Sequence, residues 1–179
     1  MLFIKQYLNN IKEEKMKFLY KILDPDVVGK AAYDKFPKFK CAQSAFEAII
    51  EALSDFEKYK NVPSSIYSYG KAGIYAWDGT CGAINGTLGA VSLILDGKDE
   101  ILKPTVDKIL NKLYSEELPF NFDKKIKLPN LTCGGIVFRF LKKYGGDLNS
   151  KDRMEFCKNL TYSVVKTAIE VLNELYMKG

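Results

Sequence analysis

Apolar positions along this chain recur at three- and four-residue intervals in almost every segment, which is the signature of helices with one buried face. Near the N-terminus Ile4, Leu8, Ile11, Phe18, Leu19 and Ile22 share a face over residues 2–23, with lysines opposite. Asp24-Pro25-Asp26 is read as the end of that helix, because proline restricts the residue before it and cannot continue the hydrogen-bond ladder. After Pro37 a second helix carries Cys41, Ala45, Ala48, Ile49, Ala52, Leu53 and Phe56 on one face, with Cys41 in its first turn. A further helix runs to about Tyr114 through Val106, Ile109, Leu110 and Leu113. Thr132 reads as an N-cap ahead of Cys133, and Gly145-Gly146 as the stop. Ser150 opens the last helix, whose apolar face of Cys157, Leu160, Val164, Ala168, Val171, Leu172 and Leu175 turns Cys157 toward the core. No segment alternates as a strand would. The expectation is an all-α protein, an irregular bundle of five to seven helices, forming one domain over residues 1–179.

Three segments depart from simple periodicity. Residues 61–80 mix glycine and proline with Tyr67, Tyr69, Tyr75 and Trp77; large aromatics favour burial, so a structured loop is expected, and long loops in compact domains are often functional. Residues 115–130 hold Pro119, Pro129 and the lysines of Lys124-Lys125-Ile126-Lys127, an irregular surface segment suited to an acidic partner. From Cys81 to Leu95 glycines stand at 82, 86 and 89 inside a helical pattern. Each costs about 0.5–1 kcal/mol relative to alanine, so another backbone or a cofactor is expected to approach closely there. The lysine of a phosphate-binding loop is missing.

Composition changes this picture chiefly through one absence: the chain has no histidine. That excludes histidine-based triads, histidine-ligated haem and mixed Cys/His zinc sites within it. The net charge of +5 comes from lysines interleaved with acids, a solvated surface with no nucleic-acid motif, so no nucleic-acid partner is expected. No apolar run reaches the roughly 18 residues of a membrane span. No secretory signal is read at the N-terminus, so a cytoplasmic location is expected, where cysteines stay reduced.

Four cysteines therefore carry the candidate chemistry: Cys41, Cys81, Cys133 and Cys157. None forms a Cys-x-x-Cys pair. Cys41, Cys81 and Cys133 each fall in the first turn of a predicted helix, where spare N–H donors and the helix dipole lower a thiol's pKa and suit an anionic metal–thiolate centre. Gly82 and Gly134 follow two of them and let amides approach sulfur. From the residues alone four readings stay open: an iron–sulfur centre, a structural zinc site on the same thiolates, a metal-free dithiol redox protein, and thiols packed as small hydrophobes in an interaction domain.

Cys41-Ala42-Gln43-Ser44-Ala45, then Cys81-Gly82-Ala83-Ile84-Asn85-Gly86, then single cysteines at 133 and 157, resemble the C_GCAxxG_C_C family, and most closely its branch containing split-Soret cytochromes c. The aromatic–glycine run before Cys81, Leu118-Pro119, and Arg153-x-x-x-Cys157 running on to Val171-Leu172-Asn173 support the likeness over roughly residues 38–175. The resemblance implies a helical redox domain, a homodimer, and a non-haem iron–sulfur cluster, [2Fe-2S] or [4Fe-4S], on Cys41, Cys81, Cys133 and Cys157. It points to an electron carrier or redox sensor working with a redox partner protein. Two features depart from the family: Thr80 stands before Cys81-Gly82, and the haem attachment motif and histidine ligands are missing, so no haem is expected.

Overall fold

The computed structural model describes residues 18–178. Seven α-helices dominate them, in chain order α1 (Pro25–Ala52), α2 (Glu57–Lys60), α3 (Ala72–Ala76), α4 (Gly82–Ile94), α5 (Asp99–Ser115), α6 (Cys133–Tyr144) and α7 (Lys151–Lys178). A 3₁₀ helix, Ser64–Gly70, precedes α3. The all-α expectation holds, with one small addition. Between α5 and α6 the segment expected to be irregular pairs two short strands, β1 (Glu117–Leu118) and β2 (Ile126–Lys127), antiparallel with Leu118 opposite Ile126. Two-residue strands are too short for alternation to mark them.

The first boundary is corrected. Residues 18–24 are not helical, and residues 2–17 of the expected N-terminal helix lie outside the described residues. Asp24-Pro25 starts a helix instead of ending one. The Asp24 carboxylate accepts from the amides of Asp26 (2.9 Å) and Val27 (3.3 Å), and Pro25 occupies a first-turn position that needs no N–H. The resulting helix α1 breaks at Lys40, whose φ of 62° and ψ of −171° interrupt it three residues after Pro37. Cys41 therefore begins the second half of α1, in keeping with its expected helix-start position.

Helix α7 packs along α1, and α4 packs against both. One contiguous apolar core joins them, including Phe46, Ile49, Ile84, Ile94, Phe156 and Val164. Phe140 of α6 stacks on Phe156 of α7 with ring centroids 4.2 Å apart, fixing the shorter helix to the longer. The glycines of α4 face close neighbours, as their cost required: Gly82 meets the Cys41 sulfur, Gly86 the Ala42 carbonyl and Gly89 the Tyr67 hydroxyl. The caps at Thr132 and Ser150 form as read, Thr132 Oγ1 accepting from the Gly135 amide (3.0 Å) and Ser150 Oγ from that of Arg153 (3.3 Å). Among the described residues, no helix is long and apolar enough to cross a membrane.

The extended segment before α1 is held by one side chain of α7. Buried Asn173 accepts from the Tyr20 hydroxyl (2.8 Å) and the Leu23 amide (3.2 Å), and donates to the Leu23 carbonyl (2.7 Å). Asn173→Leu strands all three groups, at about 1–3 kcal/mol for each buried group left unpaired. With partial rewetting, a loss of about 2–4 kcal/mol is expected, on the order of 5–15 °C in melting temperature for a chain this size. Calorimetry that finds an unchanged midpoint refutes this role for Asn173.

Candidate metal centre

The four cysteines arrive from four directions. Cys41 restarts α1 after the break at Lys40, Cys81 immediately precedes α4, Cys133 opens α6, and Cys157 lies two turns into α7. All four line one cavity of about 420 Å³. Cys81 is buried and the other three are half-buried. Two of the approaches are locked together by backbone. Thr80 and Thr132 form an isolated antiparallel bridge; the Cys81 amide donates to the Leu131 carbonyl (2.7 Å), and the Cys133 amide to the Gly79 carbonyl (3.0 Å). Helices α4 and α6 thus start side by side. The Asp78 carboxylate accepts from the Gly134 amide (2.6 Å), capping the same end of α6.

The segment between Tyr69 and Thr80 supplies the cavity's outer wall in an uncommon backbone form. Ala72, Gly73, Ile74, Tyr75 and Ala76 have φ values of 52°, 64°, 62°, 51° and 71°, one turn of left-handed helix. Left-handed conformation costs about 1–2 kcal/mol for each L-residue, so the turn persists only because its surroundings impose it. The Tyr75 amide donates to the Lys71 carbonyl (2.9 Å), and the Gly79 amide to that of Gly73 (2.9 Å). The expectation of buried aromatics here is corrected. Tyr67 is half-buried and stacks on Phe46 (4.6 Å), but Tyr69, Tyr75 and Trp77 are exposed, Trp77 to 86%. The left-handed turn presents the Ala72 amide to the Cys41 thiol, and its Tyr75 joins the lining of the cavity.

The N–H groups of Ala72, Ala42 and Gly82 act on the Cys41 thiol, and that of Ala83 on Cys81, each favouring the thiolate. The net outcome is nonetheless the reverse of the helix-start expectation. Burial pushes the Cys41 thiol up, Cys133 to about 11 and Cys157 to about 12. Cys81 is raised well above the ordinary thiol value, by burial first and then by the neighbouring Cys41, Cys133 and Cys157. Desolvation and mutual repulsion outweigh the dipoles. Four thiols gathered where they resist ionisation alone are a site that a cation would convert, because a bound metal deprotonates its thiol ligands outright. The donor set is sulfur only, with amide donors around it, which fits soft metal chemistry. Among the described residues no three cysteine or carboxylate side chains are grouped as ligands of a single ion. The sulfurs instead line a wider space.

A pH test follows for the metal-free protein. The folded state keeps thiol protons above the ordinary value near 9, so it binds more protons than the unfolded chain between about pH 9 and 12. Stability is full below that window and falls as pH rises through it. The urea midpoint of metal-free protein is expected to decline from pH 9 upward, less steeply in Cys157→Ala. Parallel declines in the two proteins refute the assignment.

Sequence reasoning missed the cations at this cavity. Lys40 and Lys71 line it, and so does Arg153, one helical turn before Cys157 on the same face of α7. The spacing of Arg153 from Cys157 was a legible signal. Lys40 and Lys71 had none, since a helix break and a left-handed turn place them. Lys124, expected at a docking patch, pairs with Asp152.

Residues 39–171 match the model of a family described as "Putative redox-active protein (C_GCAxxG_C_C)". This chain belongs to the C_GCAxxG_C_C family. A solved structure of split-Soret cytochrome c from Desulfovibrio desulfuricans ATCC 27774, described as having a novel iron centre, has the same fold. It superposes with a TM-score of 0.81 at 23% identity, over 92% of this chain and 74% of that one. No curated protein sequence matches. The family match takes in all four cysteines, from just before Cys41 to beyond Cys157.

Proposed function

We propose that this member of the C_GCAxxG_C_C family is an electron carrier or redox sensor that holds one non-haem iron–sulfur centre on Cys41, Cys81, Cys133 and Cys157. The observation that carries the reading is the convergence of four thiols, one buried and three half-buried, all raised by burial, on one cavity fringed by amide donors. The iron centre described for the structural neighbour supports the choice of metal. An all-sulfur donor set accepts iron–sulfur centres and zinc alike, so the choice of iron rests on the neighbour. An iron–sulfur centre would supply one-electron chemistry. The chain's own part is to hold four thiolates, exclude water from Cys81 and aim the amides of Ala72, Gly82 and Ala83 at sulfur, which tunes the potential of such a centre. No residue at the cavity is placed as a general base, and the chain contains no histidine to serve as one. The protein is read as one cytoplasmic domain exchanging electrons with a partner protein.

Anaerobic purification, an absorption spectrum, and counts of iron and acid-labile sulfide for each chain test this. Coloured protein containing both elements is expected. Colourless, redox-silent protein with stoichiometric zinc would establish the zinc site instead, and metal-free protein that resists reconstitution would exclude both.

A further inference from the structure

The cavity holds more than the cysteines need. Its 420 Å³ falls within the ~300–1,000 Å³ of small-molecule pockets. Beyond the sulfurs, its walls are largely apolar, with Phe36, Val137 and Leu160 among them, and its charged groups are all cations: Lys40, Lys71 and Arg153. No carboxylate lines it. Eleven lysines elsewhere pair with acids: Lys21, Lys30, Lys35, Lys58, Lys60, Lys103, Lys108, Lys112, Lys124, Lys143 and Lys166. The three cavity cations have no such partner among the described residues; eight lysines outside the cavity also have none, so what sets these three apart is that they line one cavity without a carboxylate. Lys40 reaches only the Pro37 carbonyl (3.3 Å), and Lys71 lies over the Tyr75 ring (4.7 Å). Arg153 donates through one terminal nitrogen to the Leu148 carbonyl and its side chain hydrogen-bonds the Cys157 thiol, while its buried Nε has no partner of its own. A buried guanidinium N–H without an acceptor is costly, and marks a place where one is missing.

Balancing the charge of a thiolate centre accounts for only part of this. Arg153 is the cation that acts on the thiols, at Cys133 and Cys157, whereas Lys40 and Lys71 stand at the rim of the cavity. Asp78 lies near Cys133 but caps α6 and does not line the cavity.

The geometry points to a binding subsite for a small organic anion beside the cysteine centre, its charged end held by Lys40, Lys71 and the free Nε of Arg153, and its apolar body resting on Phe36 and Val137. The inference rests on the metal reading for what lies beneath the anion. It does not rest on that reading for the charge of the cavity, and the two fail separately.

Benzoate is a suitable probe and benzamide its neutral counterpart. Their binding is measured by calorimetry and ligand-observed NMR on anaerobically purified protein, with iron and sulfide counted on the same sample. Benzoate is expected to bind at least tenfold more tightly than benzamide. The Lys40→Gln/Lys71→Gln double variant, both positions being at the rim, is expected to lose that preference with an unchanged melting temperature. Arg153→Lys is expected to keep part of it and Arg153→Gln less. Equal binding of the two probes, or a preference that survives the double variant, overturns the subsite. Full iron and sulfide without the preference overturns the subsite alone. The preference without iron or sulfide supports the subsite and removes the metal reading.

Discussion

Cys81→Ala is expected to abolish iron and sulfide binding while leaving a folded helical protein. Cys81 is the one fully buried member of the four and the one acted on by all three others. Its backbone is fixed on both sides, by the bridge to Thr132 and by the start of α4. No histidine exists to replace it, and no carboxylate lines the cavity. Losing an outer partner of a metal ligand typically weakens metal binding by about 10–100-fold; losing a ligand with no substitute costs more. The fold should survive, because a thiol trimmed to a methyl removes little apolar surface. Iron and sulfide analysis with circular dichroism checks both halves. A variant that keeps the full complement of both elements takes Cys81 out of the ligand set.

Gly86→Ala is the second large expected effect, and it acts through backbone. A Cβ at this position would lie 2.8 Å from the Ala42 carbonyl carbon and 3.0 Å from its Cα, and closer still to the oxygen. No flexible side chain is available to move aside. Helix propensity favours alanine by about 1 kcal/mol, but overpacking of a close-packed core costs about 1–3 kcal/mol, and here the obstruction is rigid. The net expectation is destabilisation. Because Ala42 follows Cys41, displaced backbone also carries that sulfur away from the other three, so metal content should fall together with stability. Gly97→Ala is the control. Gly97 has φ of 64° with nothing within 4 Å of an added Cβ, so it should lose stability through backbone strain alone and keep its metal. Gly86→Ala protein with wild-type stability and iron content contradicts this account of the α1–α4 contact.

Both predictions draw on features that the sequence showed unequally. Cys81-Gly82-Ala83-x-x-Gly86 was legible because three glycines in a helical run demand a close neighbour, and the neighbour proved to be the restart of α1 and the ring of Tyr67. Thr132, Gly145 and Ser150 marked helix ends correctly because their chemistry is local. Asp24-Pro25 misled, since proline suits a first turn as well as it ends a helix, and only the Asp24 cap decides between them. The exposure of Trp77 and the left-handed turn at Ala72–Ala76 were hidden. Nothing in Ala-Gly-Ile-Tyr-Ala favours positive φ at four non-glycine positions; contacts distant in sequence impose it. Lysines at a cavity mouth are likewise indistinguishable in sequence from lysines in solvent.

The bridge between Thr80 and Thr132 has an implication for how freely this chain can vary. Two backbone hydrogen bonds pin the ends of everything between Cys81 and Cys133, so the intervening stretch is a closed excursion whose two ends are set independently of its length. Residues inserted at its exposed Asp96–Gly97 turn enlarge a loop that is already closed, at only ~0.6 kcal/mol for each doubling of loop length. The spacing between the second and third cysteines is therefore open to drift, whereas the few residues on either side of the bridge are not.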